Sequence, residues 1–206
     1  MNMKSTLTPL ALLLGATFAQ AQTLGAWNNV GDVLANGGTI QMSTAYDASE
    51  TPGPLSGHGA QDISVLEPAA GVAAYGLDLF GPAYEGSLIQ QSFTVLAGQS
   101  LSFDWSFATL DGDFHDAAFV VLNGQATALN AATGASSGHF STVFGSGGTV
   151  NLAIGVTDIG DYYGTSTLTL SNVTLTTAVP EPATYAMLLG GLAVVGFGAL
   201  RRRVSP

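Results

Sequence analysis

Between Lys4 and Arg201 the chain contains no lysine and no arginine. Thirteen of its 14 acidic residues fall between Asp32 and Asp161, and the other is Glu181. With 13 acidic and no basic residues, the stretch from Gln22 to Ala178 carries a formal charge of −13. No carboxylate in it can form an ion pair with Lys or Arg. Each one that is buried or clustered must be solvated, hydrogen-bonded, protonated or bound to a metal, because an isolated charge is not stable in an apolar interior. The same composition excludes nucleic acid as a partner, since cationic side chains are what neutralise phosphate. Anionic lipid surfaces repel the domain for the same reason. A divalent cation is the natural counter-charge that remains.

The pattern between the ends is that of strands. In Leu101-Ser102-Phe103-Asp104-Trp105-Ser106-Phe107 the apolar residues share one face and Ser102, Asp104 and Ser106 share the other, the period of a half-buried strand. Ser92–Val95 precedes it, with Leu96-Ala97-Gly98-Gln99 reading as a hairpin loop. Residues 117–122 and 125–129 flank an Asn123-Gly124 turn, and residues 138–144 form another strand. Thr149–Thr157 alternates again, and Ser166–Leu175 closes the domain with a bulge expected near Asn172. Gly38–Ala45 reads as a strand, and Ala48–Gly76, rich in Gly, Pro and Ala, reads mostly as loop. Short strands, Gly-containing turns and no crossover helix predict an all-β fold, an antiparallel β-sandwich. The segments 101–124 and 152–175 resemble the jelly-roll modules of secreted bacterial proteins, several of which bind carbohydrate. There is no cysteine, so disulfides contribute nothing.

Both ends carry addresses. Lys4, an apolar run from Leu7 to Phe18 and Ala19-Gln20-Ala21 make a secretory signal peptide over residues 1–21, cut by signal peptidase before Gln22. The domain then runs over 22–178. At the other end Val179-Pro180-Glu181-Pro182 precedes 18 uncharged residues, 183–200, and Arg201-Arg202-Arg203. As a helix that run spans about 27 Å, enough to cross a bilayer, and the arginines hold its end in the cytoplasm. The prolines keep the preceding segment extended and accessible. In its Pro-Glu-Pro tripeptide, the following Thr184, Leu188-Leu189 and the terminal arginines, the tail over 179–206 resembles the PEP-CTERM sorting signal. That resemblance implies a Gram-negative bacterium, an inner-membrane intermediate, and an exosortase that removes the tail and passes the protein to the cell surface or extracellular polysaccharide.

Candidate sites lie in the acidic turns. Asp111, Asp113 and Asp116 fall within six residues of a Gly-containing loop, a set of hard oxygen ligands suited to Ca²⁺. Asp158 and Asp161 form a second acidic turn that can lie at the same end of a sandwich. The competing reading for both is a solvated turn whose carboxylates cap backbone N–H groups. Asp104, opposite the aromatic stripe, either lines a ligand groove or stands on an exposed polar face. Tyr162 and Tyr163 are the first candidates for stacking on sugar rings. Trp27, Tyr46, Tyr75 and Tyr84 are placed similarly. No catalytic motif is present, and His58, His115 and His139 are scattered. The expectation is a non-enzymatic exported matrix protein, structural or adhesive. A Ca²⁺-dependent carbohydrate-binding module is the alternative, and a glycoside hydrolase using two carboxylates is a more distant one.

Overall fold

The structure is a computed structural model, and it describes residues 21–112, 115–131, 134–176, 187–193 and 195. Residues 21–178 form one compact unit. In chain order its elements are β1 (Ala21–Thr23), β2 (Asn28–Val30), β3 (Asp32–Asn36), β4 (Thr39–Ser43), β5 (Gln61–Asp62) and α1 (Ile63–Ala70). There follow β6 (Ala83–Val95), β7 (Ser100–Thr109), β8 (Ala117–Leu122), β9 (Gln125–Ala128), β10 (Ser136–Val143), β11 (Gly148–Ile159) and β12 (Ser166–Thr176).

The strands pair antiparallel throughout, in two six-stranded sheets that make the expected sandwich. One has the order β10-β7-β12-β4-β3, with β1 also on β12; the other has β2-β6-β11-β8-β9, with β5 also on β6. Leu101, Phe103, Phe107, Leu168 and Leu170 from the first meet Ile89, Val120, Leu152, Ile154 and Val156 from the second. Burying such side chains stabilises by about 1.5–3 kcal/mol each. Asn123 and Gly124 both have positive φ, 51° and 82°, as a two-residue hairpin turn of type I′ requires between β8 and β9. The bulge near Asn172 is present. The register of β12 against β7 shifts between Ser171 and Thr174, with Asn172 at φ 54°.

One expectation needs correction, and one, that 48–76 is mostly loop, holds with an addition. Residues 96–99 do not join a hairpin, because β6 and β7 lie in different sheets. Their loop instead pairs with the end of β10, Gly98 N–H to Phe144 O at 2.7 Å and Phe144 N–H to Gln99 O at 2.9 Å. Strand alternation reveals faces, not partners. The stretch 48–76 also contains α1, capped by Asp62, which accepts the Ser64 N–H at 2.8 Å, and ended by Gly71 at φ 74°. Leu66 and Ala70 of α1, with Leu77, cover Leu88, Phe119, Val121 and Ala153 on the outer face of the second sheet. That sheet is therefore buried on both sides.

Of the predicted membrane span, residues 187–193 are described and are helical. Among the described residues no helix is long and apolar enough to cross a membrane. Residues 1–20, Val179–Pro182 and Arg201–Arg203 lie outside the described residues.

Candidate functional site

The core of the second sheet is apolar as far as Val156 and Ala118, and beyond them it turns acidic. Val156 pairs with Ala118 of β8 and with Ser87 of β6. Two residues further along, Asp158 in β11, Glu85 in β6 and Asp116 just ahead of β8 stand on the same inward side, 2%, 2% and 1% exposed. The register of β11 against β6 slips between Thr157 and Ile159, a bulge at Asp158. Gly86 lets the strands meet here, since a Cβ on it would lie 2.1 Å from the Val156 carbonyl oxygen. From the first sheet, the buried Thr44 and Ser166 belong to the same polar end, with the Ser166 N–H bonded to Thr44 Oγ1 at 2.9 Å.

These carboxyl groups receive few hydrogen bonds. Asp116 Oδ1 accepts the Ile159 N–H at 3.0 Å. Among the described residues neither Glu85 oxygen has a partner, and Asp158 Oδ1 has none either. Burial pushes Glu85 up to about 8, reinforced by the charges of Glu50, Asp62, Asp47 and Asp116. It pushes Asp158 up to about 9, with Asp116 and Asp161 next in effect. Asp116 is raised by burial to about 7, against the Ser166 hydroxyl and the Ile159 N–H, which lower it. At neutral pH Glu85 and Asp158 are mainly protonated.

Glu85 opens this polar end to the surface. It lines a cleft of about 590 Å³ together with Asp47, Glu50, Asp62 and three tyrosines, Tyr46, Tyr162 and Tyr163. The tyrosines are 55%, 51% and 78% exposed, so their rings are available to a ligand. Tyr162 is steadied by Tyr84, edge to face at 4.9 Å. The other carboxylates are engaged. Glu50 accepts the Tyr46 N–H at 2.6 Å and the Thr165 hydroxyl at 3.1 Å. Asp47 is held below the ordinary carboxylate range by the Ser49 hydroxyl and N–H, and Asp62 likewise by Ser64. Gly164, at φ 85°, carries the chain past Asp111, where a Cβ would come within 2.7 Å.

The sequence candidates are thus divided among three places. Tyr162 and Tyr163 line the cleft. Asp111, Asp116, Asp158 and Asp161 gather beside it at the same end, close enough for Asp111 and Asp161 to raise both buried partners. Asp161 itself accepts the Tyr163 N–H at 2.8 Å, the capping role of an acidic turn. Asp113 lies outside the described residues. Among the described residues no group of three or more His, Asp or Glu side chains is arranged to hold a metal ion. Asp104 stands apart on the outer face of the first sheet, bonded to His139 Nδ1 at 2.7 Å and to the Asn172 amide at 2.8 Å.

Glu85, Glu50, Asp47 and Asp62 were missed by the sequence reading. Glu85 had a usable signal. Counting back by twos from Ile89 through Ser87 puts a charged residue on the inward face, but the small residues Gly86 and Ser87 hide the strand.

Comparison with known proteins bears on the tail. Residues 178–203 match the family model of the PEP-CTERM protein-sorting motif. The chain carries a PEP-CTERM tail. The motif makes exosortase its processing partner, and export and cell-surface sorting its route. No curated protein matches the chain.

Proposed function

We propose that the chain is a non-catalytic protein that a Gram-negative bacterium exports through an inner-membrane intermediate and delivers to its surface polysaccharide, where it serves as a structural or adhesive component. The PEP-CTERM tail carries this reading. The cation-free domain supports it, having nothing to hold it at an anionic membrane once the tail is removed. Replacing Pro180, Glu181 and Pro182 with alanine traps the protein in the inner membrane, followed by fractionation and immunoblotting. Unchanged release to the surface overturns the sorting claim.

The cleft favours a second, compatible reading, carbohydrate binding. Exposed tyrosine rings beside carboxyl groups are the combination that sugar rings and hydroxyls require. The site need not depend on Ca²⁺, because the cleft carboxyls Asp47, Glu50, Asp62 and Glu85 do not converge as metal ligands. Nor does it favour hydrolysis of glycosides. That chemistry needs two carboxyl groups flanking the scissile bond, whereas Asp47, Glu50 and Asp62 are tied to their own turns and cap, which leaves Glu85 alone.

A further inference from the structure

We infer that the cleft receives an ammonium group carried on a sugar ring, so that the polysaccharide this domain recognises is one bearing free amines. This rests on the carbohydrate-binding reading above and specifies its ligand.

Charge decides against the other kinds of sugar. Four carboxyl-bearing side chains line the cleft and no lysine or arginine exists anywhere from residue 5 to residue 200. A uronate, phosphorylated or sulfated glycan meets repulsion with nothing to offset it. A neutral sugar meets none, but it also leaves the feature that sets this cleft apart unused. Glu85 is 2% exposed, lines the cleft, and has two oxygens without partners among the described residues. A buried acceptor left unsatisfied is costly, and a charged donor is its strongest complement.

The surroundings favour a cation specifically. Glu50 and Asp47 face Glu85 from the loop after β4, Asp62 from the start of α1, Asp116 from the residue before β8 and Asp158 from β11. Tyr46, Tyr162 and Tyr163 are the other titratable groups lining the same cleft. In the empty cleft burial, reinforced by these carboxylates, keeps Glu85 protonated. An arriving R–NH₃⁺ reverses the balance: Glu85 becomes a carboxylate, its proton passes to solvent, and an ion pair stands where two orphaned oxygens were. Among the described residues the carboxyl groups are not grouped as a metal ion's ligands would be. An ammonium needs fewer ligands and accepts the faces of Tyr46, Tyr162 and Tyr163 as further partners. Those rings also stack on the C–H face of a pyranose, which a lysine side chain lacks.

The test is calorimetric titration of the full chain in neutral detergent at low salt, with three probes: the glucosamine tetramer, the N-acetylglucosamine tetramer and tetralysine. The glucosamine tetramer is expected to bind at least about tenfold more tightly than its acetylated form. Repeating the titration in buffers of different ionisation enthalpy is expected to show proton release. Glu85→Gln removes both the preference and the release, whereas Tyr163→Ala weakens both sugars. Asp47→Asn, on the exposed loop, reduces the preference even if the Glu85 variant does not fold. Equal affinity for the two sugars overturns the ammonium assignment and leaves carbohydrate binding intact. Binding of neither sugar overturns both. Tetralysine binding as tightly as the glucosamine tetramer overturns the sugar.

Discussion

Asp32 and Glu85 are both buried carboxyl groups in a domain without lysine or arginine, and they are treated in opposite ways. Asp32 is completely enclosed and densely bonded. Its carboxylate accepts the Ser43 hydroxyl, the Leu55 N–H at 2.8 Å and the Ser56 N–H at 2.7 Å. Its own N–H is held by Ser87 Oγ at 2.8 Å, and the Ser87 hydroxyl donates to Ser43 O at 2.6 Å. Asp32 thereby ties β3, β4, β6 and the loop at 55–56 together with hydrogen bonds where another protein would use an arginine. Glu85, from the next strand position but one to Ser87, receives no such bonds. A carboxylate satisfied by backbone donors is a structural clamp. One left unsatisfied beside an open cleft is available to something outside the chain.

The largest test of that contrast is Asp32→Ala. It strands the Ser43 hydroxyl and the Leu55 and Ser56 N–H groups in the interior, and the loss expected is about 3 kcal/mol. In a domain of this size that lowers Tm by roughly 6–12 °C. A Tm shift of less than about 2 °C would mean the loop finds other acceptors and the clamp is not one.

The pH dependence of stability is the next. Unfolded carboxyls lose their protons near about 4, whereas Glu85, Asp116 and Asp158 hold theirs in the folded state up to about 8, 7 and 9. Between those limits the folded state binds more protons. The contribution of these three groups is therefore full below the unfolded value and is lost as pH rises through the folded ones. Asp47 and Asp62, shifted downward by their serines, act in the opposite sense, contributing above the unfolded value and losing it on acidification. Tm should peak in mildly acidic buffer and fall by several degrees toward pH 9, read by calorimetry. A flat profile from pH 5 to 9 would show that the carboxyl row is not buried as described.

A smaller effect separates Glu85 from Asp32 directly. Glu85→Gln keeps the shape and removes the proton. It should leave Tm within about 2 °C at pH 5 and raise it relative to the parent chain at pH 9. An equal loss at both pH values would make Glu85 a clamp like Asp32.

Much of this was legible before any coordinates. The apolar stripes of 101–107 and 149–157 announce their buried faces, Asn123-Gly124 its turn, and the broken alternation at Asn172 its bulge. The two acidic turns were visible, and so was the chance that they share an end. What was hidden depends on pairing across the sheet. Asp158, Asp116 and Glu85 form one row only because β11 lies between β6 and β8, and no local pattern specifies that order. Glu85 is further masked by Gly86, whose missing side chain is what allows the Val156 carbonyl to approach. The eight residues of α1 were hidden by composition, since Pro68, Ala69 and Ala70 read as loop until Leu66 and Ala70 are seen against Phe119.

Asp104 supplies the third term of the comparison and the smallest effect. It is bonded like Asp32, by the Asn172 amide and His139, but on the open face of the first sheet. The Asn172 amide, followed by the His139 ring, holds it below the ordinary carboxylate range. Its stabilising contribution is therefore present above the unfolded value and lost as pH falls through the lower folded one. Water competes for every one of these bonds, however, and an exposed pair contributes little. Asp104→Asn should change Tm by less than about 2 °C at pH 7 and leave the alkaline loss of stability untouched. A drop comparable to that of Asp32→Ala would show that number of hydrogen bonds, rather than burial, decides what a carboxylate does in this cation-free domain.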